Sequence, residues 1–391
     1  MAMLSQERGF KLFYFIIFAS FSGYVMFRNV FLEEIGLSGT QMGMIGFLFP
    51  LCGMIAQPIW GLVADWKGAS KPILYVSAIV AGAAALLYPL APMVGASFLA
   101  IVVATVIFAL FRAPAVPISN ALVLSSGMSY EGVRAYGSIA FGIAGLGFGF
   151  LIGVTATEAV FYAYSVGMIL LVLLLTQLPM DETEALGDDL DLDSVRRLLH
   201  RQFLLLLGAA FFLGVMTPAS AAFFSLYVEA IDQPTSITGF AWLIKTLAEA
   251  VAFVYVARRG GGSYRWLMAV AGVFYLGTYV LLATTGAIAV VIASQVLLGL
   301  GYALFNLASV NLAHSLSPSA LKSTAQSLLM VGGVSAGRAV GELVTGVLVD
   351  FVGVQAMYGY VAVLGVLVVA FSLAISKTAA ADAEEQAAAG S

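Results

Sequence analysis

Apolar runs of about 20 residues recur along the whole chain, separated by short polar breaks, and a run of that length crosses a hydrocarbon core about 30 Å thick. Twelve can be marked, at approximately 10–32, 41–64, 72–92, 95–120, 134–156, 158–178, 202–228, 237–257, 266–284, 287–314, 323–350 and 354–375. They are continuous rather than alternating with a period of two, which predicts helices and not the strands of a closed barrel. Lipid offers no third choice, because it cannot pair backbone N–H and C=O groups. The longest polar break, about 179–201, divides six spans from six and ends in SVRRLLHRQ, a candidate amphipathic helix for the inner surface. The expected protein is all-α and membrane-embedded: a six-helix half at 1–178, a linker at 179–201, a second six-helix half at 202–376 and a tail at 377–391.

Composition agrees: 61% of the 391 residues are hydrophobic and 10% charged, against roughly 25% charged in a soluble domain. Of the seventeen Lys and Arg, four lie deep within spans, Arg28, Arg112, Lys245 and Arg338, while Lys11 and Arg134 stand at the ends of theirs. The other thirteen all fall on the side of the amino terminus, which predicts cytoplasmic termini and a multi-pass protein of the plasma membrane. The first run is full length and carries Arg28, so it is expected to be a span rather than a cleaved leader. The net charge of −4 comes largely from DETEALGDDLDLD at 181–193 and DAEE at 382–385, read as a solvated linker and tail; neither suggests nucleic-acid binding. Cys52 is alone, so there is no disulfide framework. No Cys/His cluster, H-E-x-x-H, Walker loop or dinucleotide fingerprint is present, and neither a metal nor a cofactor is implied.

Two spans carry glycines four apart, Gly145, Gly149 and Gly153 in the fifth and Gly333, Gly337 and Gly341 in the eleventh. Such stripes let a neighbouring helix approach closely, and their equivalent places six spans apart suggest repeated halves. Arg338 and Glu342 each follow a seam glycine by one residue, which rotates them about 100° from the seam. One face then packs while the next carries charge. The same stretch spells G-x-S-x-G around Ser335, but a hydrolase nucleophile turn needs a strand entering a helix and a base within reach. An intramembrane hydrolase is therefore the remote alternative, and the chain is not expected to be an enzyme.

GLVADWKGASK, between the second and third spans, places Gly61, Asp65, Gly68 and Lys71 in a pattern that resembles the loop signature of the major facilitator superfamily, with Trp66 where a basic residue is usual. The matching loop of the second half, ARRGGGSYR, keeps basic residues but lacks the Asp. EGVRAYGSIAFGIAGLG, with Arg134, Tyr136, Gly137 and Ser138, is similar to the branch holding lactose permease, nucleoside:proton symporters and phenylpropionate permeases. The resemblance implies two pseudo-symmetric six-helix halves around a central cavity, alternating access and a functional monomer carrying a small molecule. It also implies gating roles for Gly61, Asp65, Gly68, Lys71 and Arg134. Spans 1, 2, 4, 5, 7, 8, 10 and 11 would line the cavity, and spans 3, 6, 9 and 12 would face lipid.

Ionisable residues at membrane depth are costly and usually functional. Six occur, all on spans the resemblance assigns to the cavity: Arg28, Arg112, Lys245, Glu249, Arg338 and Glu342. Four cations against two acids leave a surplus that a carboxylate substrate would balance, held by Arg in a bidentate fork. Arg112 is the strongest candidate, with Pro114 and Pro117 just beyond it to bend the helix. Arg28 is placed either to join it or to snorkel to the outer surface. Lys245–Glu249 and Arg338–Glu342 have the poorer order for a local i, i+4 pair, so each is free to reach across to the other helix. A Glu whose cation is drawn away gains a proton, which suggests Glu342 or Glu249 as the coupling group. Tyr24, Asn29, Gln57, Asn120, Tyr227, Trp242, Asn306 and Asn311 are polar or aromatic candidates to complete the pocket. Proton symport of a small organic anion is the expected function. Symport of a neutral sugar or nucleoside and drug efflux stay open, as does a receptor that binds without flux.

Overall fold

A computed structural model of the chain describes residues 5–95, 97–126, 128, 130–178, 198–259, 263–318 and 321–376. The tail expected at 377–391 and most of the linker lie outside these residues, as do the side chains of Asp65, Arg258 and Arg259. Twelve helical segments are long and apolar enough to cross a membrane, from Gln6–Glu34 to Val354–Ala374, and each overlies one of the twelve expected runs. No strand occurs among the described residues.

The first two spans are α1 (Gln6–Glu34) and α2 (Gly39–Lys67). A capping box opens α2: Gln41 N–H donates to Ser38 Oγ at 3.3 Å and Ser38 N–H donates to Gln41 Oε1 at 3.0 Å. Gly68 ends it in the left-handed conformation, φ 59°, a backbone state that glycine adopts without steric cost. The third span is α3 (Ser70–Ala85) followed by α4 (Leu87–Leu90), and the fourth is split into α5 (Ser97–Arg112) and α6 (Ala115–Ser125). Next come α7 (Tyr130–Val154) and α8 (Ala159–Gln177). The seventh run is also split, into α9 (Arg201–Ser220), which is the spanning helix, and the short α10 (Phe224–Ala230), before α11 (Ser236–Arg259), α12 (Tyr264–Thr284) and α13 (Ile288–Ser315). The eleventh contains α14 (Lys322–Leu328), a π-helical stretch at Leu329–Ser335 and α15 (Ala336–Val352), and α16 (Val354–Ala374) is the last.

The first split follows from proline. Pro114 has no N–H, so the Leu110 carbonyl one turn earlier loses its helical donor. The Trp60 indole of α2 donates to that carbonyl at 3.0 Å. In the seventh span Pro218 precedes a break at Ala221, whose φ and ψ are −115° and −80°. Tyrosine hydroxyls supply donors there: Tyr279 of α12 to the Met216 carbonyl at 2.6 Å and Tyr358 of α16 to the Ala219 carbonyl at 2.7 Å. In a medium without water this pairing is what makes a broken helix tolerable.

The chain divides into two compact units, Met1–Gly187 with Phe224–Phe240, and Asp188–Phe223 with Ala241–Ser391. In the first, α1 packs on α7 and α8, α3 on α8 and α5, and α10 on α1. In the second, α12 packs on α13 and α16, and α9 on α15, α16 and the π-helical stretch. Large apolar side chains stand exposed along α3, α8, α12 and α16, among them Ile79, Ile169, Val273 and Val363. Spans assigned to the cavity do the same, as at Ile55 and Leu62 of α2 and Val251 of α11, so exposure does not separate the two sets.

The glycine stripe of the eleventh span is a backbone-to-backbone seam against α9. A Cβ on Gly337 would lie 2.1 Å from the Phe211 carbonyl oxygen, and one on Gly341 would lie 2.3 Å from that of Val215. From the opposite helix, a Cβ on Gly214 would meet the Val334 carbonyl oxygen at 2.5 Å. Backbone cannot yield as a flexible side chain does, so Gly337→Val is expected to lower stability by about 1–3 kcal/mol or more. Thermal unfolding in detergent checks this, with Gly53→Ala as the control: a Cβ there meets only the Gln57 amide, at 3.9 Å.

Candidate functional site

The membrane charges fall into two groups, one in each unit. In the first unit, the helix break leaves Arg112 in the last turn of α5, where the carboxy-terminal dipole favours a cation. Its guanidinium lies 3.3 Å from the centroid of the Phe21 ring of α1 and 5.7 Å from that of Phe49 of α2. A cation over aromatic faces gains roughly 0.5–2 kcal/mol, more where water is excluded. Tyr164 lies within electrostatic reach of Arg112. Phe21 and Phe49 are half-buried, so the two rings also present open surface.

Arg28 is buried, 5% exposed, and does not snorkel. Its Nε donates to Asn29 Oδ1 at 2.9 Å and its guanidinium sits 5.6 Å from the Tyr24 ring centroid. Tyr24 belongs to an aromatic core with Phe49, Tyr88, Phe108 and Phe161, and its hydroxyl is 3.0 Å from that of Tyr88. Asn120 accepts a hydrogen bond from Tyr14, which ties α6 to α1.

In the second unit, Lys245 of α11 lies over Trp242 at 4.2 Å and over Tyr302 of α13 at 5.5 Å. Glu249 and Arg338 both act electrostatically on it, so α11 and α15 bring their charges into one group. Gly299 of α13 makes this possible, since a Cβ there would lie 2.2 Å from the Lys245 carbonyl oxygen and 3.1 Å from the Glu249 nitrogen. Glu342 is buried at 2% exposure and Arg338 is half-buried, one turn apart on α15. Trp242 is buried and Asn306 half-buried. The π-helical stretch ends at Ser335, three residues before Arg338. Such turns recur at functional sites, and Ser335 sits in continuous helix, with no strand before it.

The motif residues have structural partners. Arg134 Nη1 donates to Ser138 Oγ at 3.3 Å and its guanidinium lies 4.2 Å from the Phe18 ring centroid. Gly137 leaves room for this stack, because a Cβ there would be 2.7 Å from Phe18 and 3.0 Å from Arg134. Lys71 Nζ donates to the Leu178 carbonyl at the end of α8, 2.8 Å away. Gly61 lies within α2, and of Asp65 only the helical backbone is described. The hollows lined by Leu87, Leu90 and Val94 and by Ile79, Gly82 and Met168 are apolar and include none of the candidate residues. Among the described residues no group of three His, Cys, Asp or Glu could hold a metal.

Sequence reasoning missed Phe21, Phe49, Tyr302 and Trp60. Only Phe21 carried a signal, lying three residues before Tyr24 on the same helical face; the others depend on which helices meet.

Twelve spanning helices with charged groups seated inside each unit define a multi-pass membrane protein of the transporter class. Residues 8–360 match the MFS_1 like family, and the chain belongs to that family of major facilitator transporters. It is 30% identical over 385 residues to a maltose permease of Geobacillus stearothermophilus, covering 96% of each chain. It is 22% identical over 356 residues to the uncharacterized transporter YwbF of Bacillus subtilis (strain 168), covering 89% of this chain and 88% of that protein. Among solved structures, the nucleoside transporter NupG superposes with a TM-score of 0.82 at 16% identity, over 95% of this chain and 98% of the other. A bacterial homolog of the human lysosomal transporter Spinster superposes with a TM-score of 0.72 at 15% identity, over 97% and 95%. At these identities the two structures establish the major facilitator fold alone.

Because the Trp60 indole is the donor that replaces the one missing at Pro114, Trp60→Phe is expected to destabilise the protein by about 1–3 kcal/mol, the cost of an unpaired buried carbonyl. A matched thermal-unfolding series with Trp66→Phe, whose ring is exposed, checks it; equal shifts for both variants would contradict the assignment.

Proposed function

We propose that the chain is a proton-driven permease for a small saccharide of the maltose class, working by alternating access from the plasma membrane with both termini cytoplasmic. The observation that carries this reading is the seating of the membrane cations on aromatic rings, Arg112 on Phe21 and Phe49 and Lys245 on Trp242 and Tyr302. Rings that share the positive charge reduce the need for a bound anion. Open aromatic surface, as on Phe21 and Phe49, suits a sugar, whose ring presents C–H groups on its faces. The likeness to a maltose permease over almost the whole chain supports the same class. Arg112, Lys245 and Arg338 are the proposed binding cations, with Trp242, Asn306, Tyr24 and Arg28 supporting them. Glu342, buried on the charged face of α15, and Glu249, beside Lys245, are the proposed proton carriers.

A second reading, proton symport of a small organic anion, is favoured by the excess of four membrane cations over two membrane carboxylates. The two separate in proteoliposomes that report internal pH. With maltose, maltotriose, aromatic and aliphatic carboxylates and nucleosides added outside, protein-dependent acidification by the saccharides alone is expected. Acidification by a carboxylate alone would replace the saccharide reading with the anion one. Arg112→Lys, which loses the planar fork, is expected to cut saccharide-driven acidification about tenfold or more. Glu342→Gln is expected to abolish proton-driven accumulation while sparing solute exchange; undiminished accumulation in the Glu249→Gln, Glu342→Gln double variant would overturn the coupling assignment.

A further inference from the structure

Three carboxylates meet where α1 and α10 end. Glu33 and Glu34 occupy the last turn of α1, and Glu229 stands one residue before the end of α10, which packs on α1. A helix carboxy terminus already concentrates negative charge, so the two acids of α1 sit where a carboxylate is disfavoured. Glu34 accepts a hydrogen bond from Thr157, itself buried at 3% exposure. Glu229 is half-buried, and burial, then the nearby Glu33 and Glu34, pushes its pKa up from 4.5 to about 7.

Among the described residues no salt bridge joins a cation to any of the three. The charged groups nearest the joint are Glu158, which precedes α8, Asp232, which follows α10, and Arg28, more than a turn back along α1, while Glu7, Arg8 and Lys11 of α1 and Arg134 of α7 lie near the opposite ends of those helices. Arg28 is buried and engaged with Asn29 and Tyr24. None of the polar breaks on this side of the span map contains Lys or Arg.

The joint beside these carboxylates has no slack. Phe224–Phe240 belongs with the helices of the first unit. Thr235 Oγ1 donates to the Gly149 carbonyl of α7 at 3.1 Å. A Cβ on Gly149 would come within 2.9 Å of Ser236 Cα, and one on Gly239 within 2.4 Å of the Gly145 carbonyl oxygen. Backbones touch, so even a small widening would break the seam as a whole.

We propose that Glu229, with Glu33 and Glu34, forms a proton-operated latch: protonated, it holds Phe224–Phe240 against α1 and α7, and ionised, it releases the segment, so that pH on this face regulates opening. The direction follows from linkage. The closed joint raises the Glu229 pKa, so closure binds a proton that a water-exposed Glu229 would lose near 4.5. Closure is therefore favoured at low pH, and the ratio of open to closed rises by up to about tenfold per pH unit from 4.5 towards 7. The latch depends on no particular substrate and stands apart from the saccharide assignment.

The test is a distance measurement between spin labels at two exposed positions, Ala156→Cys and Pro234→Cys, in a Cys52→Ala background, by double electron–electron resonance. It is made in vesicles at about pH 5.5 and about pH 8.5, which bracket the raised pKa. The expected result is a short distance at the lower pH, a longer population at the higher pH, and a short distance at both in Glu229→Gln. The same pH response in Glu229→Gln, or no response in the parent, would overturn the latch. Should Glu229→Gln fail to elute as a monodisperse species, the Glu33→Gln, Glu34→Gln double variant serves instead. It removes the two neighbouring charges and is expected to move the midpoint to lower pH, and an unmoved midpoint would count against the proposal.

Discussion

The structure depends on one constraint: in hydrocarbon, every backbone N–H and C=O must find its partner inside the protein. Continuous helix satisfies it for most of the chain. Where the fourth and seventh spans break, aromatic side chains from other helices supply donors, Trp60 to the Leu110 carbonyl and Tyr279 and Tyr358 to the Met216 and Ala219 carbonyls. The first of these breaks fixes the functional arrangement as well, because it ends α5 at Arg112 and leaves that cation over two aromatic rings. A polar group that lipid would reject is thus placed by the same proline that interrupts the helix.

Close helix contact is the second theme, and glycine supplies it where charge must be brought near. The α9–α15 seam runs through Gly214, Gly337 and Gly341, and the residue after each of the last two is Arg338 or Glu342. Gly299 does the same for α13 against the Lys245–Glu249 stretch. In each case the glycine lets two backbones touch, so that neighbouring side chains on an adjacent face are held in fixed relation. Rigid backbone contact is a reasonable way to keep ionisable groups ordered in a medium where misplacing one is expensive.

The spans were legible because the length of an apolar run is set by bilayer thickness; all twelve overlie helices in the structure. The glycine stripe of the eleventh span was legible for a similar reason, since a spacing of four maps onto one helix face. The bend near Arg112 was also foreseeable from RAPAVP, as a local property of proline. What was hidden is long-range. Nothing near Trp60 in sequence reveals that its indole meets Leu110, nor does the neighbourhood of Tyr302 point to Lys245. The π-helical stretch at Leu329–Ser335 has no local signature beyond Gly332 and Gly333. The surplus of cations was visible, but not that aromatic rings would share it, and the preference for a saccharide over an organic anion turns on that difference.

The central claim is that this member of the major facilitator superfamily carries a saccharide. Counterflow tests it without reference to protons: purified protein in de-energised liposomes preloaded with unlabelled maltose, diluted into a trace of labelled maltose. A transient overshoot of label inside, abolished by Arg112→Lys and absent from protein-free liposomes, is the result the account predicts. No overshoot with maltose or maltotriose, together with overshoot for a carboxylate under the same conditions, would contradict it.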